Sequence, residues 1–184
     1  MKLYAIFFSP TGGTREVCLA LAGGWQQPAV EIDLSDPRRD FGQITLSPED
    51  LCVVAVPSFG GRVPPAAAQR LGQIHGEGAR AILAAVYGNR AFEDTLVGLE
   101  DVLKAAGFVC VEGVAAMAEH SIRRQFATGR PNETDILQLK EFARQIQAQL
   151  ESGAATEPSL PGNRPYKELH TIPMVPQTLD CCNQ

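Results

Sequence analysis

Positive charge is missing from this chain at the place where a triphosphate would demand it. No lysine or arginine lies between Lys2 and Arg15. The hydroxyl- and glycine-rich stretch Ser9-Pro10-Thr11-Gly12-Gly13-Thr14 therefore lacks the lysine of a G-x-x-x-x-G-K-[ST] loop, which excludes a nucleoside triphosphatase of that kind. Sixteen basic against twenty-one acidic residues leave a net charge of −5 with no basic run, so the sequence does not support nucleic acid as a partner. No apolar run approaches the length of a membrane span, and the first residues read as a strand rather than a signal peptide. G-x-G-x-x-G is absent, which removes the usual dinucleotide signature. Nothing sets His120 beside an activated nucleophile, so no Ser-His-Asp or Cys-His set emerges. Tryptophan occurs once, at Trp25, and there are no internal repeats. Cysteines are few and dispersed: Cys18, Cys52 and Cys110 lie in apolar helix or strand patterns, where a buried free thiol is the default, and Cys181 and Cys182 are terminal. That usage points to a reducing, cytoplasmic compartment.

What is present is an ordinary globular composition, 45% hydrophobic and 20% charged over 184 residues, which suits one domain with a tail. Strand patterns fall at 2–8, 29–34, 51–56, 80–87 and 108–117, and helix patterns at 14–23, 64–74, 92–106 and 134–150. LCVVAV (51–56) and ILAAV within 80–87 are continuous apolar runs, as expected of parallel strands covered on both faces, whereas 29–34 alternates and reads as an edge strand. Strands interleaved with helices predict a parallel α/β sheet with right-handed crossovers. Residues 1–151 form the expected domain. From Ser152 onward Pro158, Pro161, Pro165, Pro173 and Pro176 break regular structure, so 152–184 reads as an extended tail. Leu160, Tyr166, Ile172, Met174 and Val175 predict that part of it packs on the domain surface.

The chemistry gathers after the strands. A helix N-terminus carrying Ser9, Thr11, Gly12, Gly13 and Thr14 offers backbone N–H groups, hydroxyls and the positive end of the helix dipole to a single phosphate. After the third strand comes Pro57-Ser58-Phe59-Gly60-Gly61-Arg62, after the fourth Tyr87-Gly88-Asn89-Arg90-Ala91-Phe92, and after the fifth Glu119-His120-Ser121. In an open parallel sheet these segments converge at the carboxyl ends of the strands. Aromatic, glycine and arginine together suit a planar aromatic ligand with a phosphate tail. His120 is either a neighbour of that ligand or a loop histidine bonded to backbone, and Arg123 and Arg124 read as a solvated pair.

With these residues on the page, the chain resembles the flavodoxin-like family, whose [ST]-x-T-G-x-T phosphate motif is matched by Ser9, Thr11, Gly12 and Thr14. It resembles most the subgroup in which a flavodoxin-like domain precedes a ferredoxin domain with iron–sulfur clusters. The segments carrying this are FFSPTGGT, PSFGGRVPPAA, VYGNRAFEDTL, AEHSI, RPNETDILQLKEFARQI and NRPYKE with IPMVPQT in the tail. The resemblance implies a doubly wound five-stranded parallel sheet in the order 2-1-3-4-5, flavin mononucleotide (FMN) as cofactor, and electron transfer between flavin and an iron–sulfur partner. Ser9, Thr11, Gly12, Gly13 and Thr14 would hold the phosphate. Ser58, Phe59, Gly60, Gly61 and Arg62 would border the ring on one side, and Tyr87, Gly88, Asn89, Arg90 and Phe92 on the other, with His120 at its edge. Flavodoxins commonly sandwich the ring between Trp and Tyr; here Phe59 and Tyr87 are the aromatics in reach. The resemblance further implies that Cys181 and Cys182 open the first cluster-binding run of a ferredoxin module continuing past Gln184, since C-x-x-C-x-x-C spacing needs further thiolates. Two other readings stand beside this one: an NAD(P)H-dependent FMN or quinone reductase, and a non-redox module that binds a phosphorylated ligand.

Overall fold

The computed structural model describes residues 1–153 and 157–168. Its elements run β1 (Leu3–Phe7), α1 (Gly13–Ala22), β2 (Ala29–Asp33), β3 (Leu51–Pro57), α2 (Pro65–Leu71), β4 (Arg80–Tyr87), α3 (Thr95–Ala105), β5 (Val109–Met117) and α4 (Glu133–Glu151), with short 3-10 turns at Gly23–Trp25 and Phe41–Gln43. The sheet has five strands in the order β2-β1-β3-β4-β5, and every pair is parallel. This is the architecture expected from the sequence.

The alternation of side chains along each strand divides the core in two. Leu3, Ala5 and Phe7 of β1 and Leu51, Val53 and Ala55 of β3 meet α1 and α4, together with the buried Trp25. Ile6, Cys52, Val54 and Val56 face the opposite layer, where Ala67 and Leu71 of α2 and Leu96, Leu99 and Leu103 of α3 close over them. β5 departs from simple alternation. Its pairing with β4 passes from Ala81↔Cys110 to Ile82↔Glu112, leaving Val111 as an extra residue. Cys110 and Val114, which share parity, consequently enter opposite core layers.

Helix boundaries differ from the periodic pattern where the backbone turns early. The helix expected over 64–74 ends at Leu71, with Gly72 as its cap. The one expected from residue 92 begins at Thr95, because Asn89 and Glu93 hold φ of 75° and 43° and keep the segment before it as a loop. α4 is set by a capping box: the Asn132 side chain accepts from the Asp135 N–H, and the Asp135 carboxylate accepts from the Asn132 N–H. Arg130 also pairs with Asp135, and its hydrogen bond, followed by that of the Asn132 amide, holds the Asp135 carboxyl below the usual range despite burial.

Residues 157–168 lie along α3. Leu160 packs on the core next to Gly113. Arg164 Nη2 donates to Glu100 at 2.6 Å, Asp101 at 2.8 Å and the Val97 carbonyl at 3.2 Å, and the Tyr166 hydroxyl donates to Asp101. Asp94, fully buried just before α3, accepts from Asn163 N–H at 2.8 Å, Asn163 Nδ2 at 2.7 Å and Lys167 N–H at 2.8 Å. Burial raises the Asp94 and Asp101 carboxyls, but these hydrogen bonds and the nearby arginines outweigh it, and both end below the usual carboxylate range. Residues 169–184, with Cys181 and Cys182, lie outside the described residues.

Two outcomes are expected. A Cβ on Gly24 would stand 2.2 Å from the Ala143 Cβ of α4. Gly24→Ala should therefore lower stability by about 1–3 kcal/mol in urea titration, as overpacking does, and Ala143→Gly should recover part of it. Because Asp94 and Asp101 titrate lower in the folded state, the folded chain binds fewer protons than the unfolded one. Their contribution is present above the unfolded aspartate value of about 3.9 and is lost as pH falls through the folded values. Asp101→Asn should thus show a smaller loss of stability between neutral and acid pH than the parent chain.

Candidate functional site

The strand order reverses at β1, which leads first to β2 on one side and then to β3 on the other. An open α/β sheet leaves a crevice at such a point, outside the carboxyl ends of the strands. The ladder continues one residue past the strands: Phe8 N–H donates to the Ala55 carbonyl at 3.1 Å, Ser58 N–H to Val86 at 2.7 Å, and Ala118 N–H to Tyr87 at 3.1 Å. Beyond these bonds the chains separate around a cavity of about 580 Å³. Its wall comes from Pro10, Thr11, Gly13 and Thr14 after β1, residues 57–60 after β3, 86–88 after β4 and 118–122 after β5. The volume lies in the ordinary range for small-molecule sites.

The first wall is built from donors. Gly12, at φ 95°, turns the chain into α1. Arg15 N–H is taken by Ser9 Oγ at 2.9 Å and Glu16 N–H by the Gly12 carbonyl at 3.0 Å. The N–H groups of Gly13 and Thr14 find no acceptor among the described residues, nor do the Thr11 and Thr14 hydroxyls form a hydrogen bond there. Ser9 supports this loop rather than lining the cavity: its N–H donates to Ser35 Oγ at 2.8 Å.

Two aromatic side chains join the donors in the lining. Phe59 is 48% exposed. Tyr87, at the end of β4, is backed by Phe92 with ring centres 5.5 Å apart. Ser58 Oγ ties the two loops together, donating to the Phe92 carbonyl at 3.3 Å and accepting from Thr95 Oγ1 at 2.8 Å. The fourth wall holds His120, whose Nδ1 accepts from the N–H groups of Ile122 and Arg123, both at 3.2 Å. Nδ1 is therefore the unprotonated nitrogen in this arrangement, and Nε2 carries the proton. Glycines permit the close approaches: a Cβ on Gly13 would lie 3.1 Å from that of Ala118, and one on Gly88 2.8 Å from the His120 Cβ and Cδ2.

Of the candidates named from sequence, Thr11, Gly13, Thr14, Ser58, Phe59, Gly60, Tyr87, Gly88 and His120 line the cavity. Ser9, Gly12, Gly61, Arg62, Asn89, Arg90 and Phe92 do not. Gly61 is buried beside Glu93, Asn89 is exposed, and Arg90 is drawn to Glu93 at 2.7 Å. Arg62 turns away toward Asp94 and the tail. Pro10, Pro57, Glu119 and Ser121 also line the cavity, within the post-strand segments named from sequence though not as binding residues, and Val86, Ala118 and Ile122 line it from outside those segments. Each lies at or just beyond the end of a predicted strand, which was the available signal.

Among the described residues, the wall carries one formal charge, Glu119, and it is spoken for. Gly129 N–H at 3.0 Å and Arg124 Nε at 2.7 Å hold that carboxyl below its usual range, the amide contributing most. No cluster of His, Cys, Asp or Glu suited to a metal ion occurs among the described residues. Cys18, Cys52 and Cys110 are free and buried, and burial raises all three thiols, Cys110 to about 12. No described helix is long and apolar enough to cross a membrane.

Gly88→Ala should push the His120 ring aside and free the Ile122 and Arg123 amides it accepts. Hydrogen exchange at those two amides is expected to accelerate well beyond the global change, which should stay within about 1–3 kcal/mol.

No protein-family model matches the chain, and no curated protein matches it either. Solved structures do. The chain is similar to a flavodoxin from the domain Archaea, with 14% identity and a TM-score of 0.56 over 82% of this chain and 99% of that one. It is similar to the Streptococcus pneumonia TIGR4 flavodoxin, with 16% identity and a TM-score of 0.51 over 81% and 99%. It is also similar to rubredoxin oxygen:oxidoreductase from the anaerobe Desulfovibrio gigas, with 17% identity and a TM-score of 0.57 over 84% of this chain and 37% of that chain. At these identities the likeness concerns architecture: the chain has the flavodoxin-like fold.

Proposed function

We propose that the cavity binds FMN and that the chain is an electron carrier working with an iron–sulfur protein. The observation that carries this reading is the pairing, in one cavity of about 580 Å³, of a cation-free donor loop with two aromatic walls. The residues fit the group. The free amides of Gly13 and Thr14 and the hydroxyls of Thr11 and Thr14 would take its phosphate. Phe59 and Tyr87 would flank its ring, with Gly60 and Gly88 letting backbone come close. With Nδ1 engaged, His120 has Nε2–H left to donate to a ligand atom. FMN, when bound, supplies one- and two-electron redox chemistry; the chain's residues position it and limit water at its inner edge.

An apolar rim supports the partner part of the reading. Ile122 is 86% exposed and Phe59 48%, both in the cavity lining, and Phe126, 40% exposed, has its ring centre 6.4 Å from that of His120. The ferredoxin module suggested by Cys181 and Cys182, reached through the tail that follows residue 151, and a reducing, cytoplasmic setting belong to the same proposal. The buried free thiols are in keeping with the last of these. One observation favours the reductase reading: the single tryptophan, Trp25, is buried in the core layer with α4 and does not line the cavity.

Gel-filtered protein mixed with FMN should retain a stoichiometric flavin spectrum; colourless protein would overturn the proposal. Bleaching of that spectrum by NADPH alone would move the assignment to a reductase. Thr14→Ala should weaken FMN about tenfold, the loss of one charge-assisted hydrogen bond, while riboflavin affinity hardly changes. Equal weakening of both ligands in fluorescence titration would remove the phosphate role.

A further inference from the structure

The tail motif Asn163-Arg164-Pro165-Tyr166-Lys167-Glu168 has no part in the reading above, yet it meets the cavity wall from behind. Residues 59–62 form a tight turn closed by a reciprocal backbone pair: Phe59 N–H donates to the Arg62 carbonyl at 3.0 Å, and Arg62 N–H to the Phe59 carbonyl at 3.2 Å. Its central residues, Gly60 and Gly61, have φ of 61° and 81°, the two positive values that a type I′ turn requires. Phe59 and Gly60 face the cavity. Arg62, at the other end, faces the tail.

Arg62 is held there from three directions. Its guanidinium carbon lies 4.3 Å from the centre of the Tyr166 ring, and Nη2 donates to the Lys167 carbonyl. Nε sits 3.9 Å from Asp94 Oδ2 and has no hydrogen-bond acceptor among the described residues. Asp94 joins the two parts, since its carboxylate takes the three donors of Asn163 and Lys167 while its own N–H donates to the Gly61 carbonyl at 3.0 Å. Turn, Asp94 and tail are one hydrogen-bonded unit.

We propose that residues 162–167 are a strap that sets the position of the 59–62 turn through Arg62 and Asp94 as positioning residues, coupling strap docking to ligand binding in the cavity. A strap that favours the binding-competent wall tightens the ligand, and by reciprocity the ligand tightens the strap. The choice of FMN as the ligand rests on the flavin reading; the strap's hold on the turn does not.

The test uses the full chain carrying Asn163→Ala and Tyr166→Ala. Neither side chain lines the cavity, and both residues are exposed, so folding should persist. Amide exchange at residue 167 reports release of the strap, and exchange at Phe59 and Arg62 reports opening of the turn. The expected result is faster exchange at all three, and an FMN dissociation constant raised at least about fivefold, the lower end of ordinary coupling between sites. In the parent chain, saturating FMN should slow exchange at residue 167. Faster exchange at residue 167 with Phe59, Arg62 and FMN affinity unchanged would overturn the coupling. Unchanged exchange at residue 167 would overturn it too, because the named contacts would then not hold the strap. If the parent chain does not bind FMN, the flavin reading fails on its own, and the strap is decided by exchange at Phe59 and Arg62 alone.

Discussion

In a parallel sheet covered on both faces, every backbone N–H and C=O of an inner strand is taken by its neighbours, and no water reaches the ladder to replace a lost bond. That requirement makes β3 and β4 unbroken apolar runs, and it decides where polar chemistry can appear. Groups become available only where the ladder stops. Here it stops one residue past β1, β3 and β5, at Phe8, Ser58 and Ala118, and at the Tyr87 carbonyl that closes β4. The donor loop, the aromatic walls and His120 begin within a few residues of that edge. Reversal of strand order at β1 keeps a crossover helix from filling the gap.

That no lysine or arginine lines the cavity follows from what surrounds it. Arginines are present in three of the four loops, but none lines the cavity, and three have partners elsewhere: Arg62 the tail, Arg90 Glu93 and Arg124 Glu119. The donors that remain are amides and hydroxyls, which are directional and set by backbone geometry. The acids are treated in the same way. Asp94, just before α3, and Glu100, on it, are buried, and residues 157–168 complete the partners that their charges need. The segment after α4 thus belongs to the packed body as far as residue 168.

Much of this was legible in the sequence. Continuous apolar runs at 51–56 and within 80–87 read as inner strands, and the alternating helices supply the crossovers, so the parallel α/β class followed from patterning, while the strand order 2-1-3-4-5 came from the family resemblance. The donor loop was legible as a strand-to-helix turn, because a strand, two glycines and three hydroxyls meet between Ser9 and Thr14; its phosphate role is the proposal made above. Side-chain direction was not. Arg62 and Phe59 stand three residues apart in one loop and face opposite ways, because two glycines at positive φ turn the backbone between them. The α3 start was misjudged for a related reason, Asn89 and Glu93 adopting conformations that propensity does not announce. The extra residue Val111 in β5 likewise inverts the facing of everything after it, which no alternation pattern in 108–117 reveals.

The cavity draws its four walls from loops that follow four different strands, spread from Pro10 to Ile122. No fragment of the fold contains a partial version of it: if β5 leaves the sheet, His120 leaves with it and the remaining loops lose their fourth side. Occupancy is therefore a global quantity. A ligand held at a hundred times its dissociation constant deepens the stability of the entire sheet by about 2.7 kcal/mol, rather than that of any one loop. Cells poor in that ligand would carry the same chain in a more easily unfolded form, so its abundance would track ligand supply.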